Sequence, residues 1–600
     1  LVVSSLMLVP ILLALLLTLS RGGWAAALVS CLIVLFFIHV HKQILMLIYS
    51  IIGILVTFVI FSRINELGSH LREQLTASSY TIGWLILIGA SSFITLITLI
   101  LHRYLHSYIQ NKFVNLSPKR WASFIVPILL LFLVVLMGYL LLQDTPINRA
   151  LPDNLEQRVD NINLSQHSVL ERGTFYADAW KLYKDYPIIG AGTGAWSALY
   201  EQYQNNPYSS RQAHNFIMQH LVETGTLGIV LMVGFLLIVL YQFARTRLTS
   251  WIELSREDRD PRTPYFLFAL PILIHSIIDF DMSYVYIGAV VFLCLGAMSA
   301  GTKPIFNLSS QSLLNKINRI YPVTLVILSL IMLIGSMQLL RANSLFKQAI
   351  SNLKAAPSIN HFMDPLNQAL QIREGNPSYT STKSDLLNQL YTQTKDESYY
   401  TQNLELVNQS LKSEPYNLRL IDLKTELLLS KGKIDLAYMN NTYALAQFPW
   451  NVTLYEKQIV LAIHLAENEI KLQDWNKSQS YLEVVELTYQ QLNKQIDHLS
   501  TLPEGQLQGN PFLTTSTIEL GVAKTYYYKN DFEAAVAALK PLVTDQQLQD
   551  PIQREIARWY LSALQRQGSE DKALFDRLIA ADPNEETLIE QLVSVVLPPI

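Results

Sequence analysis

Residues 124–142 read FIVPILLLFLVVLMGYLLL, a run without a charged side chain that is as long as a bilayer-spanning helix and predicts a span at about 122–143. Lipid offers the backbone no hydrogen-bond partners, so such a run must form a helix, which satisfies its own backbone groups. Eight further segments have the same character: 1–20, 24–40, 44–62, 80–101, 222–243, 264–279, 283–300 and 320–340. The pattern predicts an all-α fold in which residues 1–340 form a polytopic helical membrane domain.

The composition of the chain changes near residue 340. Only 16% of the 600 residues are charged, against roughly 25% in soluble proteins, and the deficit lies before this point. Residues 341–600 have an ordinary soluble composition and form a second predicted domain. The net charge of −3 says nothing useful about nucleic acid, and no basic stripe suggests a nucleic-acid partner. Because Leu1 opens directly into an apolar run, we also expect N-terminal spans to be missing.

Lysine and arginine are concentrated in alternate loops, which the positive-inside rule places in the cytoplasm. These residues are Lys42, Arg103, Lys112, Lys119, Arg120, Arg245, Arg247, Arg256, Arg259, Arg262, Lys303, Lys316 and Arg319. The outer side then holds the turn at Arg21, loops 63–79 and 144–221, the turn Asp279–Ser283 and residues 341–600. This predicts a multi-pass protein of the cytoplasmic membrane with an extracytoplasmic C-terminal domain.

Polar residues at the ends of spans gather on the predicted outer face. An ionisable residue in a span is costly unless it is paired or functional. Because these polar residues share the outer face, we predict that they form one outward-facing polar site. Its members are Arg21, His214, Asn215, His275, Asp279 and Asp281.

The loop 144–221 is too long to be a simple connection. Within Leu170–Tyr186, three aromatic residues follow helical spacing, which predicts an amphipathic helix at the membrane surface; they are Tyr176, Trp180 and Tyr183. The glycine-rich segment Pro187–Gly194 follows. It does not match GxGxxG and no βαβ unit surrounds it, so we interpret it as a tight turn that packs against helices, not as a nucleotide-binding loop.

Neither a metal site nor glycoside hydrolysis is favoured. The spacing of six between His214 and His220 does not put two ligands on one helical face. Asp279 and Asp281 lie two residues apart on a short turn, so they do not form an opposed acid and base. Both cysteines, Cys31 and Cys294, lie in apolar runs, which argues against a disulfide.

The order of these motifs over about residues 1–300 resembles the O-antigen ligase superfamily. This superfamily also contains O-antigen polymerases and bacterial O-oligosaccharyltransferases. The residues that carry the resemblance are Ser20-Arg21-Gly22, Arg172 ahead of Trp180, the turn Pro187–Gly194, His214-Asn215, Glu223-Thr224-Gly225 with Gly228, His275-Ser276 and Asp279-Phe280-Asp281. Relatives usually have about twelve spans, which agrees with missing N-terminal sequence here.

The resemblance implies a GT-C-like membrane glycosyltransferase of the bacterial cell envelope. Such an enzyme takes a glycan from a polyprenyl-diphosphate carrier, such as undecaprenyl diphosphate. It transfers the glycan to an acceptor hydroxyl of a glycan or surface protein outside the membrane, without a nucleotide sugar, cofactor or obligatory metal. By motif, Arg21 and Arg172 match the essential arginines of the family and His214 its essential histidine. Arg158 and Arg211 lie in the same loop as Arg172, so either of them could be the residue that matches the second essential arginine of the family.

The implied chemistry suits these side chains. Negative charge collects on the departing diphosphate, and arginine binds phosphate oxygens bidentately while staying charged. A neutral imidazole at His214 suits a general base, with inversion at the sugar carbon; contact with the diphosphate or a helix-capping role are the alternatives. Asn215 would orient His214 or cap the next helix. The remaining substrate-binding candidates are Arg211, His275, Asp279 and Asp281, unless the last three merely form a polar turn.

The C-terminal domain carries recurrent helix stops. Asn376-Pro377, Glu414-Pro415, Phe448-Pro449 and Asp582-Pro583 each follow an amphipathic segment. The first three prolines are 38 and 34 residues apart, close to the tetratricopeptide (TPR) period. Tyr526–Leu542 also resembles part of one such unit. We expect a TPR-like helical-repeat domain that binds a protein partner or the acceptor, or that serves as a rigid spacer.

Other functions remain open at this point. A polysaccharide polymerase of the same superfamily would share the whole site. A transporter would place ionisable groups near mid-span and often have paired broken helices, whereas here they gather on one face. A non-catalytic assembly protein would depend on the repeats and not on His214.

Overall fold

The computed structural model describes residues 1–73, 77–141, 166–249, 261–300, 311–355, 359–507, 511–543 and 548–597. Over these ranges the protein is built from helices and contains no strand, which confirms the all-α prediction. Arg158, Arg256, Arg259 and Lys303, and the first part of loop 144–221, lie outside the described residues.

The chain divides into two compact units, which are described one at a time. The first comprises Leu1–Ser197 and Ser210–Asn307, and the second comprises Ala198–Ser209 and Leu308–Ile600. A short stretch of the long loop thus packs with the C-terminal part of the chain. The predicted domain boundary at residue 340 falls inside the helix Gln311–Ala355.

Helices form over every segment that was predicted as a span. In the first unit they are α1 (Val2–Leu17), α2 (Arg21–Leu35), α3 (Val40–Glu73), α4 (Ala77–Lys112), α5 (Ile125–Leu141), α6 (His167–Asp185), α7 (Ala195–Tyr203, whose end joins the second unit), α8 (Phe216–Thr249), α9 (Thr263–His275) and α10 (Val285–Ser299). The second unit begins with α11 (Gln311–Ala355). Helix α6 confirms the helix predicted at 170–186, whereas its position at a membrane surface stays a prediction.

The apolar helices have the properties of membrane spans. Among the described residues, five helices are long and apolar enough to cross a bilayer: Val40–Glu73, Ser78–Lys112, Arg120–Leu140, Phe216–Thr249 and Ile320–Leu353. Helices α1, α2, α9 and α10 are also apolar but shorter. Large side chains such as Val59 and Phe132 are mostly exposed on these helices, which is unfavourable in water but not in lipid. The chain is a membrane protein.

Two local features fix where the helices of the site begin. Ser20 caps α2, because its Oγ accepts a hydrogen bond from the Gly23 amide at 3.0 Å, and this makes Arg21 the first helical residue. Helix α8 is interrupted at Gly225, where φ is 65° and ψ is −168°. The residues before Gly225 therefore form a separate short helix ahead of the apolar part of α8.

The rest of the second unit is a series of short amphipathic helices. They are α12 (Ile359–Ile372), α13 (Pro377–Thr394), α14 (Glu397–Ser413), α15 (Leu418–Ser430), α16 (Ile434–Gln447), α17 (Val452–Lys471), α18 (Trp475–Thr501), α19 (Ser516–Tyr528), α20 (Phe532–Leu539), α21 (Pro551–Arg566), α22 (Lys572–Ala581) and α23 (Asn584–Ser594). Pro377 opens α13, and Asn417 and Asn451, each two residues after a proline, cap α15 and α17. The predicted stops are therefore real helix boundaries. The TPR-like assignment stays a prediction.

Candidate functional site

Both family-matched arginines meet at Ser168, near the start of α6. Arg172 lies one turn further along α6, and its Nη1 donates to the Ser168 carbonyl oxygen at 3.2 Å. Arg21, at the start of α2, donates from Nη2 to Ser168 Oγ at 3.3 Å. Residues that are distant in sequence thus bring two guanidinium groups to one serine.

Asp279 joins Arg172 to His214. Its Oδ2 lies 3.5 Å from Arg172 Nη2, and its Oδ1 lies 3.5 Å from His214 Nδ1. All three side chains are partly exposed, by 24–33%. The Nε of Arg172 is buried and has no hydrogen-bond partner among the described residues. The carboxylate therefore leaves part of the donor capacity of Arg172 unused.

His214 has an unusual backbone conformation. Its φ is 50°, in the left-handed region that residues with a side chain seldom adopt. The Tyr176 hydroxyl donates to the His214 carbonyl at 3.0 Å. The imidazole lies between Phe175, with ring centroids 5.5 Å apart, and Phe280, edge-on at 4.7 Å. Packing on two sides and a bond to its carbonyl hold this histidine in one orientation.

Asn215 caps α8. Its Oδ1 accepts hydrogen bonds from the amides of Ile217 at 2.9 Å and Met218 at 3.0 Å. The Phe216 amide donates to the Ser276 carbonyl at 2.9 Å, which ties the start of α8 to the end of α9. Asn215 thus sets where α8 begins.

A second histidine–carboxylate pair lies beside Arg21. His275 Nδ1 is 2.5 Å from Asp281 Oδ2. Gly22 permits this arrangement, because a Cβ at that position would lie 3.2 Å from His275 Nε2 and 2.7 Å from Ile278 Cδ1. The glycine after Arg21 therefore lets the start of α2 approach the end of α9.

The remaining candidates have different surroundings. Arg211 is exposed and forms no ion pair with a described residue, so no described ion pair links it to the other candidates. His220 stacks on Phe216 with ring centroids 5.6 Å apart. Among the described residues, no three His, Cys, Asp or Glu side chains are grouped so that they could hold a metal ion.

The glycine-rich turn packs against the break in α8. The amides of Ala191 and Gly192 donate to the carbonyls of Val222 and Glu223, at 2.9 and 3.1 Å. At Gly190, where φ is 71°, an added Cβ would lie 2.4 Å from the carbonyl carbon of Glu223. The interpretation as a tight turn that packs on a helix agrees with these contacts.

Residues 75–233 match a family model described as O-antigen ligase. This segment is similar to the O-antigen ligase family. Arg172 and His214 lie within the matched part of this O-antigen ligase-like chain, whereas Arg21, His275 and Asp279 lie outside it. No curated protein matches the chain. The family points to a ligase or polymerase that acts on lipid-linked glycans in a membrane.

Several residues of the candidate site could not be identified from the sequence. Ser168 gives no signal in sequence, because a serine becomes a meeting point only once α2 and α6 are packed. Tyr176 was assigned to an amphipathic face, but its hydroxyl holds His214. Phe280 lies within the quoted motif and was not identified as a residue that packs on His214.

Proposed function

We propose that this protein transfers a glycan from a polyprenyl-diphosphate carrier to an acceptor hydroxyl on the outer side of the cytoplasmic membrane. One observation carries the proposal: Asp279 contacts both Arg172 and His214, while Arg21 and Arg172 share Ser168. A cationic cradle and an imidazole thus lie side by side at the end of apolar helices.

The two arginines bind the diphosphate of the donor. As the bond between the sugar carbon and the diphosphate oxygen breaks, both bonding electrons leave with the diphosphate. Cations already in place stabilise that charge without reorganisation. The Arg172 side chain is 33% exposed, so its guanidinium group can donate to a phosphate oxygen.

His214 acts as the general base. Asp279 Oδ1 lies 3.5 Å from Nδ1 and favours the proton on that nitrogen, which leaves the lone pair of Nε2 to take the proton of the acceptor hydroxyl. The acceptor oxygen then forms its bond to the sugar carbon on the face opposite the departing diphosphate. A single displacement of this kind inverts the configuration of the sugar carbon.

Contacts within the second unit support an extracytoplasmic C-terminal domain. The Trp450 indole N–H donates to the carbonyl of Gln204 at 2.9 Å, and Gln204 belongs to the stretch of the long loop that packs in this unit. A loop cannot pack on a domain across a bilayer, so both lie on one side. Protease added to membranes that expose their outer side should cut the C-terminal domain. If the domain is cut only in inverted membranes, which expose the cytoplasmic side, this placement is wrong.

The C-terminal helices offer a cleft for an acceptor or protein partner. A cavity of about 730 Å³ is lined by residues that include Glu467, Lys524, Tyr528, Glu555 and Trp559. Lys524 Nζ lies 2.6 Å from Glu555 Oε1 and 5.0 Å from the centre of the Trp559 ring. An aromatic wall with charged groups of both signs suits a polar chain such as a peptide or glycan.

Transfer from a purified polyprenyl-diphosphate glycan tests the enzymatic proposal. We expect His214→Ala, Arg21→Ala and Arg172→Ala each to lower kcat/KM at least about 100-fold, on the scale of losing a general base or a charge-stabilising group. Arg63→Ala is the matched control, because Arg63 is exposed and pairs with Glu66 on its own helix. Full transfer by His214→Ala would rule out the proposed mechanism.

A further inference from the structure

A chain of hydrogen bonds leads from the glycine-rich turn to the residue before His214. The Gly194 amide donates to Glu223 Oε1 at 3.0 Å, and Gln219 Nε2 donates to the same oxygen at 2.7 Å. The other end of the Gln219 side chain, Oε1, accepts from the Ala213 amide at 2.9 Å. Two side chains of the short helix before Gly225 thus connect the turn to the backbone at residue 213.

This series of hydrogen bonds ends next to His214, the residue with a disfavoured backbone conformation. Ala213 is fully buried and Gln219 nearly so, so their polar groups must be paired within the protein. The next residue, His214, has the disfavoured φ of 50°. Such a conformation persists only when surrounding bonds hold it. Gln219 holds the amide side of His214, and Tyr176 holds its carbonyl side.

The two side chains have fixed hydrogen-bonding directions. Position 219 must accept from Ala213 and donate towards position 223, and an amide can do both at once. Glu223 must accept twice, from Gly194 and from Gln219, and an ionised carboxylate is an acceptor only. The hydrogen bond between Gln219 and Glu223 therefore has a defined donor and a defined acceptor, and mutation can exchange them.

We propose that Gln219 and Glu223 are positioning residues that set the backbone conformation, and hence the imidazole direction, of His214. This inference rests on the proposed function, in which His214 is the general base. Neither side chain needs to touch the donor or the acceptor, since both act through the amides of Ala213 and Gly194.

Reversal of the pair is the sharpest test. Gln219→Glu places two carboxylates face to face, so we expect kcat to fall on the order of 100-fold, as for a catalytic group displaced by about 1 Å. Glu223→Gln alone keeps an acceptor oxygen and should cost less than about 5-fold. In the double variant Gln219→Glu/Glu223→Gln, the new amide at position 223 donates to the new carboxylate at position 219, while the amide oxygen accepts from Gly194. We expect kcat to return to within about 5-fold of the natural protein.

Two readouts separate positioning from general damage. The KM for the donor should stay within about 2-fold in all variants, because the arginine cradle is unchanged. Hydrogen exchange of the peptide 210–218, measured on the full chain, should become at least about 10-fold faster in Gln219→Glu and return towards normal in the double variant. If Gln219→Glu does not accumulate, Glu223→Leu, which removes the acceptor, is compared with Glu223→Gln in the same way.

The outcomes distinguish this inference from the proposed function. No change of exchange in Gln219→Glu, or no recovery of kcat in the double variant, overturns the positioning role even where His214→Ala is inactive. If His214→Ala transfers glycan normally, the proposed function fails, whatever the exchange rates at 210–218 are.

Discussion

The carboxylate of Asp279 lies 3.5 Å from His214 Nδ1 and, through its other oxygen, 3.5 Å from Arg172 Nη2. The carboxylate of Asp279 thus orients the imidazole of His214 and offsets the positive charge of Arg172. It sits on the turn after α9, whereas its two partners come from α6 and from the residues just before α8. The turn after α9 therefore links the proposed base, His214, to Arg172, the proposed diphosphate-binding residue.

Asp279→Asn is expected to lower kcat by about 10- to 100-fold while the donor KM changes little. The amide oxygen can still accept from Nδ1–H, but the negative charge that stabilises the protonated imidazole is lost. Steady-state transfer assays measure both constants. Asp385→Asn, an exposed carboxylate paired with Arg419, is the control. A large rise in KM at unchanged kcat would contradict a role in orienting the base.

Replacement of the arginines by lysine tests bidentate binding. Arg21→Lys and Arg172→Lys keep the charge but lose the planar fork, so we expect kcat/KM for the donor to fall about 10- to 100-fold. Inorganic pyrophosphate should inhibit the natural protein competitively and both variants more weakly. Arg63→Lys is the control. Equal inhibition of all four proteins would show that these guanidinium groups do not hold the diphosphate.

The helices could be predicted from sequence because hydrophobic runs and Pro-Asn stops are local signals. Arg21, Arg172 and His214 could be proposed because their motifs resemble a family. The contacts that depend on packing could not be predicted from the sequence. Ser168 becomes a meeting point, and Gln219 a link to Ala213, only when loops come together in space. Arg211, equally prominent in sequence, has no ion pair with a described residue.

Gly190→Ala should destabilise the turn that packs on α8. An added Cβ would lie 2.4 and 2.5 Å from the backbone of Glu223 and Thr224, and φ is 71°. Backbone atoms cannot move aside as a side-chain tip can, so we expect a loss of about 1–3 kcal/mol in stability. Thermal unfolding in detergent measures this loss as a lower midpoint. Gly234→Ala, where a Cβ would meet nothing within 4 Å, should leave the midpoint unchanged.

Glu201 makes the packing of the segment Ala198–Ser209 in the second unit sensitive to pH. Burial raises the pKa of the Glu201 carboxyl above its usual range, and the hydrogen bond from Tyr200 only partly opposes this. A raised folded-state pKa means that the packed form is stabilised at pH values below the ordinary glutamate pKa. This stabilisation is lost as pH rises through the raised value.

Cleavage by a protease that is active across this range should therefore be slower within the segment at about pH 4 than at about pH 7, relative to an unfolded peptide of the same sequence. Glu201→Gln removes the ionisable group, so the packed segment should be protected at neutral as well as at acidic pH. Glu414→Gln, at the end of α14, is the matched control and should keep the pH dependence. If Glu201→Gln were cleaved faster than the natural protein at neutral pH, the buried carboxylate would be stabilising the packed segment, and the direction argued from burial would be wrong.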